Sequence, residues 1–302
     1  MRDSRNAGER VVALGTFDGV HRGHQRLIRS AGKIAKDLGV PLRVCTFDRH
    51  PLEVLRPGYS PELLSTIPEK AREMCAIGVN EMEMMHFDRA TADLSPGEFL
   101  DRLRNRIDVR AIVAGWNYSF GCKGKGNAET LIQDGKTHGY QVQIVPPATL
   151  ADGTVISSTL VRQKLREGDT GKAAELLGRP YTLTGTVAAG KKQGHGLGFP
   201  TANIETWRRK ALPKYGVYTC LMETDTGTFP GVVNIGIQPT IPSGQVTVEA
   251  HALTGEPDLY GRKVRLTLLR MLREERKFES PESLKSQIEK DRAEALKLFD
   301  MA

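Results

Sequence analysis

Aromatic residues make up only 6% of this 302-residue chain, with two tryptophans, and cysteine occurs four times. Cys45, Cys75, Cys122 and Cys220 stand far apart, at none of the short spacings that hold a metal. A disulfide-stapled secreted scaffold is therefore excluded, and reduced cytosolic thiols are the expectation. No apolar run approaches the ~20 residues needed to span a bilayer, and the polar start MRDSRNAGER does not read as a secretory signal. Internal repeats and low-complexity tracts are absent too, which leaves ordinary globular domains. Basic residues are not gathered into a stripe interleaved with aromatics. The net charge of +7 therefore suits small anions, nucleotides and phosphates, better than RNA or DNA. What remains is a chain with 39% hydrophobic and 26% charged residues, long enough for two domains that each bury a core.

The most informative stretch is RVVALGTFDGVHRGHQRLI, from Arg10 to Ile28. Val11, Val12, Ala13 and Leu14 form a short apolar run suited to the centre of a parallel sheet. Gly15, Gly19 and Gly23 then allow a tight turn and close backbone approach to a ligand. Leu27, Ile28, Ala31, Ile34, Ala35 and Leu38 recur at three- and four-residue steps and predict an amphipathic helix starting near Gly23. His21 and His24 fall at its start, where free N–H groups and the helix dipole attract anions. Phosphate chemistry is the expectation.

Further strands are predicted over Pro41–Phe47, Arg110–Gly115 and Tyr140–Val145, the last ended by Pro146–Pro147. Helices open at two capping boxes, Thr66 to Glu69 and Ser95 to Glu98; Pro96 follows the second cap, and Leu94 is placed to staple Phe99. Strands alternating with helices predict a doubly wound parallel sheet with ligands beyond its carboxyl ends. At those ends fall Gly15 to His24, then Asp48 to Pro51, then GWNYSFGCKGKG with Asn117. ISSTLVRQKL, from Ile156 to Leu165, follows the last strand; Ser157 or Ser158 caps its helix and Arg162 lies one turn inside.

GTFDGVHRGHQ and ISSTxxR together resemble the signatures of bacterial FAD synthetases, the bifunctional riboflavin kinase/FMN adenylyltransferases. That resemblance implies a nucleotidylyltransferase domain over residues 1–180. Its ATP would be held by Gly15, Phe17, Asp18, Gly19, His21, His24, Asn117, Ser157, Ser158, Thr159 and Arg162. His21 and His24 would act through charge and position, as neither metal ligands nor nucleophiles, while Arg162 would hold the departing pyrophosphate.

After Gly178 the sequence turns to alternating β-formers separated by glycine and proline. Strands are predicted over Tyr181–Val187, Gly216–Met222, Phe229–Ile235, Val246–Leu253 and Val264–Leu269, as in a small antiparallel barrel. Ser280 caps a last helix, with Leu284, Ile288, Ala293, Leu296 and Leu298 as its candidate core face. Residues 181–302 resemble the riboflavin kinase module through LGFPTANIE, YGVY, GVVNIGIQPT, TVEAHAL, DLYG and LREERKF. The resemblance implies ATP and Mg²⁺ binding by Gly198, Pro200, Thr201 and Asn203, with Thr201 and Asn203 on the metal. Glu249 would be the catalytic base, and Asn234, Arg273, Lys277 and Phe278 would line the flavin. The chain departs from the family pattern at His195 and Gln238, where arginines are expected, and at Thr254 and Gly255, where an Asp-Phe pair is.

The leading expectation is a cytoplasmic enzyme that phosphorylates riboflavin to FMN and adenylylates FMN to FAD, releasing pyrophosphate. Its substrates are riboflavin, FMN and ATP, with Mg²⁺; no nucleic acid, membrane or obligatory protein partner is expected. Three alternatives are an FMN adenylyltransferase with a degenerate, flavin-binding second module, a nucleotidylyltransferase for another acceptor, and an RNA-binding protein on the same fold.

Overall fold

The run ERVVAL becomes β1 (Glu9–Leu14), buried at every residue but the first. Its two faces feed two separate cores. Val11 and Ala13 pack with Leu27, Ile28 and Ala31 of α1 (Arg22–Leu38). Val12 and Leu14 pack on the opposite side with Phe99, Leu100 and Leu103. Strict alternation on a strand covered on both faces is what places helices on each side of a parallel sheet.

The computed structural model describes residues 8–59, 61–188, 201–237, 246–255, 257 and 259–300. The chain divides into two compact units, Met1–Ser158 and Thr159–Ala302. In the first, β1 and α1 are followed by β2 (Leu42–Phe47), α2 (Pro51–Leu55), α3 (Ile67–Ala76), β3 (Glu81–Met85), α4 (Arg89–Asp93) and α5 (Pro96–Arg106). Then come β4 (Asp108–Gly115), α6 (Ala128–His138), β5 (Gln141–Val145) and the start of α7 (Ser158–Glu167). The five strands are parallel in the order β3-β2-β1-β4-β5. The order reverses between β1 and β4, and a crevice for a ligand opens at such a switch point beyond the strand ends. Both capping boxes form as expected, at Thr66 and Ser95, and Leu94 joins the core that holds Phe99.

Sequence reasoning passed over β3 because EMEMM lacks the β-branched residues that favour strands. Its glutamates are held by arginines: Glu81 lies 3.0 Å from Arg10 and 2.6 Å from Arg43. Helix α6 escaped because Gly135 interrupts it. A Cβ there would come within 2.8 Å of the Tyr140 carbonyl, so glycine permits helix and strand to pack closely.

In the second unit α7 and α8 (Thr170–Leu177) precede a closed barrel of six antiparallel strands in the order β10-β7-β6-β11-β8-β9. These are β6 (Thr182–Ala188), β7 (Ala202–Thr206), β8 (Gly216–Glu223), β9 (Thr228–Ile237), β10 (Val246–Ala252) and β11 (Lys263–Glu274). Tyr218, Cys220, Met222, Val233, Ile235, Leu266 and Leu268 fill the interior. Closure through β9 and β10 leaves no open edge. Within this unit the Leu165 carbonyl of α7 accepts from Lys214 N at 2.8 Å, and Thr170 Oγ1 donates to the Leu269 carbonyl at 2.9 Å.

β7 adds a strand where the residues alone read as a turn. The last helix, α9 (Pro281–Asp300), packs on β9 and β11, and Ser280 Oγ accepts from Ser283 N at 3.2 Å as its cap. Its inner face corrects the expected one, because Ala293 is exposed whereas Asp291 and Ala295 are buried. An aspartate is tolerated there because Arg273 pairs with it at 2.9 Å.

Leu103, 1% exposed on α5, packs among Phe99, Leu100, Ile107 and Ile112. Leu103→Ala is expected to lower the stability of the first unit by about 2–5 kcal/mol, read from urea denaturation.

Candidate functional site

The turn after β1 is folded by a carboxylate. Asp18 is 4% exposed, and its Oδ1 accepts from Leu64 N at 2.9 Å and Ser65 N at 3.2 Å. Ser65 Oγ accepts from Gly19 N at 3.0 Å, so the segment before α3 is laced to the turn from both sides. The backbone there is unusual: Phe17 has φ 51°, Gly19 φ 79° and Val20 φ 42°. Positive φ at a buried, β-branched valine is strained, and such strain persists only where the surroundings over-determine it. Gly19 meets the Leu64 side chain so closely that a Cβ would lie 2.8 Å from it.

From this turn the chain enters α1. His21, 6% exposed, is the N-cap, and its Nδ1 accepts from His24 N at 3.3 Å. Accepting at Nδ1 leaves a ring proton on Nε2. The His24 ring stacks on His21 at 3.6 Å and meets Phe17 edge-on at 5.3 Å. Its Nδ1 is buried with no hydrogen-bond partner among the described residues. Burial first, then the charges of His21 and Lys70, push the His24 pKa well below its ordinary value.

The other expected residues of this unit converge on the same edge. Asn117 is exposed just beyond β4, the neighbour of β1, with Leu14 opposite Ala114 in the ladder. Its Oδ1 lies 3.4 Å from where a Cβ on Gly115 would stand. The Ile156 carbonyl lies 3.7 Å from the corresponding point on Gly23, and Ser158 Oγ donates to the Asp18 carbonyl at 2.9 Å. Ser157 directly precedes α7; Thr159 and Arg162 follow on that helix, in the second unit.

Sequence reasoning missed Lys70. It is 9% exposed on α3, and its ammonium donates to the Thr16 carbonyl at 2.7 Å. Burial lowers its pKa while Asp18 opposes that shift. The available signal was a lysine on the apolar stripe that continues through Met74 and Ile77. Also unassigned by the motifs is His86, whose Nδ1 lies 2.6 Å from Asp48 Oδ2 at the ends of β3 and β2.

In the barrel, three expected residues stand in one row. Glu249 is paired with Asn203 on β7 and with Asn234 on β9. Directly opposed residues share a sheet face. All three are half-buried, while their neighbours Ala202, Val233, Val248 and Ala250 are buried. Val217 opposite Asn234, and Arg273 opposite Val217, extend the row. The Arg273 guanidinium is bound to Asp291 and lies 5.5 Å from the Phe278 ring; Lys277 is exposed. Thr201 immediately precedes β7. Gly198, Pro200, His195 and Gln238 lie outside the described residues. Thr254 is exposed, and Gly255 turns with φ 71° after β10. The oxygen-bearing set Thr201, Asn203 and Glu249 is chemically suited to a hard divalent cation such as Mg²⁺.

A histidine-bearing turn at the switch point of a parallel sheet, followed by an antiparallel barrel with a row of oxygen-bearing side chains, fits a two-unit nucleotide-dependent transferase. Residues 3–160 match the family model described as FAD synthetase, and residues 177–299 the one described as riboflavin kinase. The bifunctional riboflavin kinase/FMN adenylyltransferase of Listeria monocytogenes is 37% identical over 96% of this chain and 92% of its own. That of Escherichia coli is 34% identical over 96% and 93%. A solved structure described as a macrolide-efflux protein from Streptococcus pneumoniae superposes with a TM-score of 0.85 at 32% identity, covering 97% of this chain and 96% of that one. Among the described residues no helix is long and apolar enough to cross a membrane. The chain belongs to the bifunctional riboflavin kinase/FMN adenylyltransferase family.

His24 sets a pH dependence. A histidine whose folded pKa is depressed binds fewer protons folded than unfolded, so its contribution is present above the unfolded value of 6.5 and is lost as pH falls below it. Urea midpoints are expected to fall from pH 6.5 downward, and His24→Gln is expected to flatten that slope.

Proposed function

We infer that this chain makes FMN from riboflavin in its barrel and FAD from FMN in its parallel-sheet unit, using ATP for both reactions. The observation that carries this reading is the presence of both family domains in one chain, with His21 and His24 together at one helix start and Asn203, Glu249 and Asn234 in one row of the barrel. The functional boundary is set at 180/181, just before β6, because ISSTLVR belongs with adenylyl transfer although α7 packs in the second unit.

For adenylyl transfer, a phosphate oxygen of FMN attacks the α-phosphorus of ATP; the new P–O bond forms as the bond to pyrophosphate breaks. The acceptor is already anionic, so no base is needed, and position and charge suffice. His21 offers Nε2–H, the α1 N-terminus offers backbone N–H groups, and Gly15, Phe17, Asp18 and Gly19 shape the turn around the phosphates. Asn117, Ser157, Ser158 and Thr159 supply neutral polar contacts. Arg162 supplies a planar fork for the departing pyrophosphate.

In the barrel, Glu249 accepts the proton of the riboflavin 5′-hydroxyl as that oxygen attacks the γ-phosphorus and ADP leaves. Asn203 and Asn234, on either side of it in the row, orient phosphate and flavin. Mg²⁺ fits Thr201 and Asn203, and when bound it neutralises phosphate charge. Gly198 and Pro200 complete the ATP side; Arg273, Lys277 and Phe278 border the flavin. The setting is cytoplasmic.

Chromatographic separation of products from riboflavin, ATP and Mg²⁺ tests the assignment. His21→Ala with His24→Ala is expected to abolish FAD while FMN accumulates. Glu249→Gln is expected to slow FMN formation by about 10²-fold or more and to leave FAD formation from added FMN intact. A wild-type chain that converts FMN but never riboflavin would establish the adenylyltransferase-only alternative.

A further inference from the structure

Lysine is among the residues least often fully buried, yet Lys70 is 9% exposed, one turn ahead of the fully buried Met74. An apolar side chain would fill that place without the cost of desolvating a charge. Its ammonium meets the Thr16 carbonyl at 2.7 Å, and the Thr46 hydroxyl reaches the same oxygen at 3.1 Å. Two donors therefore hold that carbonyl inward.

No cis peptide occurs among the described residues. In a trans peptide the C=O and the following N–H point in opposite directions, so the Phe17 N–H is turned away from Lys70. Phe17 is fully buried, and among the described residues no acceptor meets its N–H. Buried backbone donors are almost always satisfied, so an orphan calls for a partner from outside the chain. A second buried orphan, His24 Nδ1, belongs to the ring that packs against Phe17. Both stand beside the N-terminus of α1, which favours an anion.

We propose that Lys70 is a positioning residue of the adenylyltransferase site: it holds the Thr16 carbonyl inward so that the Phe17 N–H faces a phosphate oxygen of the nucleotide, with the lysine charge behind that contact. This rests on the adenylyltransferase reading of the first unit. Lys70 touches Thr16 and acts through the turn.

Lys70→Met preserves bulk and removes both donor and charge; Lys70→Gln restores a neutral donor. In the full-length enzyme, Lys70→Met is expected to lower kcat/KM for ATP in FAD formation by about tenfold or more, with FMN formation in the same preparation unchanged. Lys70→Gln is expected to recover part of that loss. The His24 ring proton, followed by NMR, is expected to titrate at higher pH in both variants, because a neighbouring positive charge is gone. A folded Lys70→Met enzyme with wild-type kcat/KM for FAD formation would overturn the proposal. So would equal losses of both activities with a lowered melting temperature, which mark a purely structural lysine. If the wild-type chain made no FAD from FMN and ATP, the adenylyltransferase reading itself would fail. Calorimetric ATP affinity would then decide the Lys70 claim: about tenfold weaker binding in Lys70→Met supports it, and unchanged affinity overturns it.

Discussion

The first unit depends on the carboxylate of Asp18. The segments before α3 and at the start of α7 are tied to it or to its peptide: Leu64 and Ser65 donate to the side chain, and Ser158 donates to the carbonyl. An aspartate accepting backbone N–H groups fixes three segments at once without presenting its charge to the ligand. That division of labour matters at a site for polyphosphate. An acid in the sequence GTFDG would repel the nucleotide if exposed, but buried and consumed by N–H donors it shapes the turn instead.

Much of this was legible beforehand because backbone geometry restricts residue choice. A turn with three positive φ values in four residues needs glycines and a held side chain, and GTFDG declares both. Capping boxes at Thr66 and Ser95 were legible for the same reason, since orphan N–H groups at a helix start call for particular side chains. Lys70 was not. A lysine acquires meaning only once the Thr16 carbonyl, on a distant segment, is seen to turn toward it. β3 was hidden because its glutamate pairs with Arg43 on the adjacent strand and Arg10 on the strand beyond, which local propensity cannot register.

Glu249 falls between these cases. Alternation in VTVEAHA foretold a strand and an outward glutamate, but not what stands on either side of it. Closing the barrel places Asn203 and Asn234 in its row, and those pairings come from strands far apart in the chain. The same closure turned an apparent proline-bounded turn into β7, because the barrel needed a partner for β6 and β10. The missed strand and the unreadable neighbours of Glu249 are one omission: without β7, Asn203 has no register.

The two units solve different chemical problems, and their electrostatics differ accordingly. Transfer to FMN begins from an anion, so the proposed site is best built from neutral donors: His21 with its Nδ1 committed to the cap of α1, and His24 held neutral by burial. A carboxylate facing that pocket would oppose the reaction, and Asp18 is turned into the scaffold. Transfer to a riboflavin hydroxyl begins from a neutral alcohol and must lose a proton, so a half-buried glutamate between two asparagines is appropriate there and would be harmful in the other unit. The placement of acids thus follows from the charge of the attacking oxygen. It also explains why the histidine motif is backed by a buried lysine on α3, whereas the row around Glu249 contains no lysine and reaches a cation only at Arg273, already committed to Asp291.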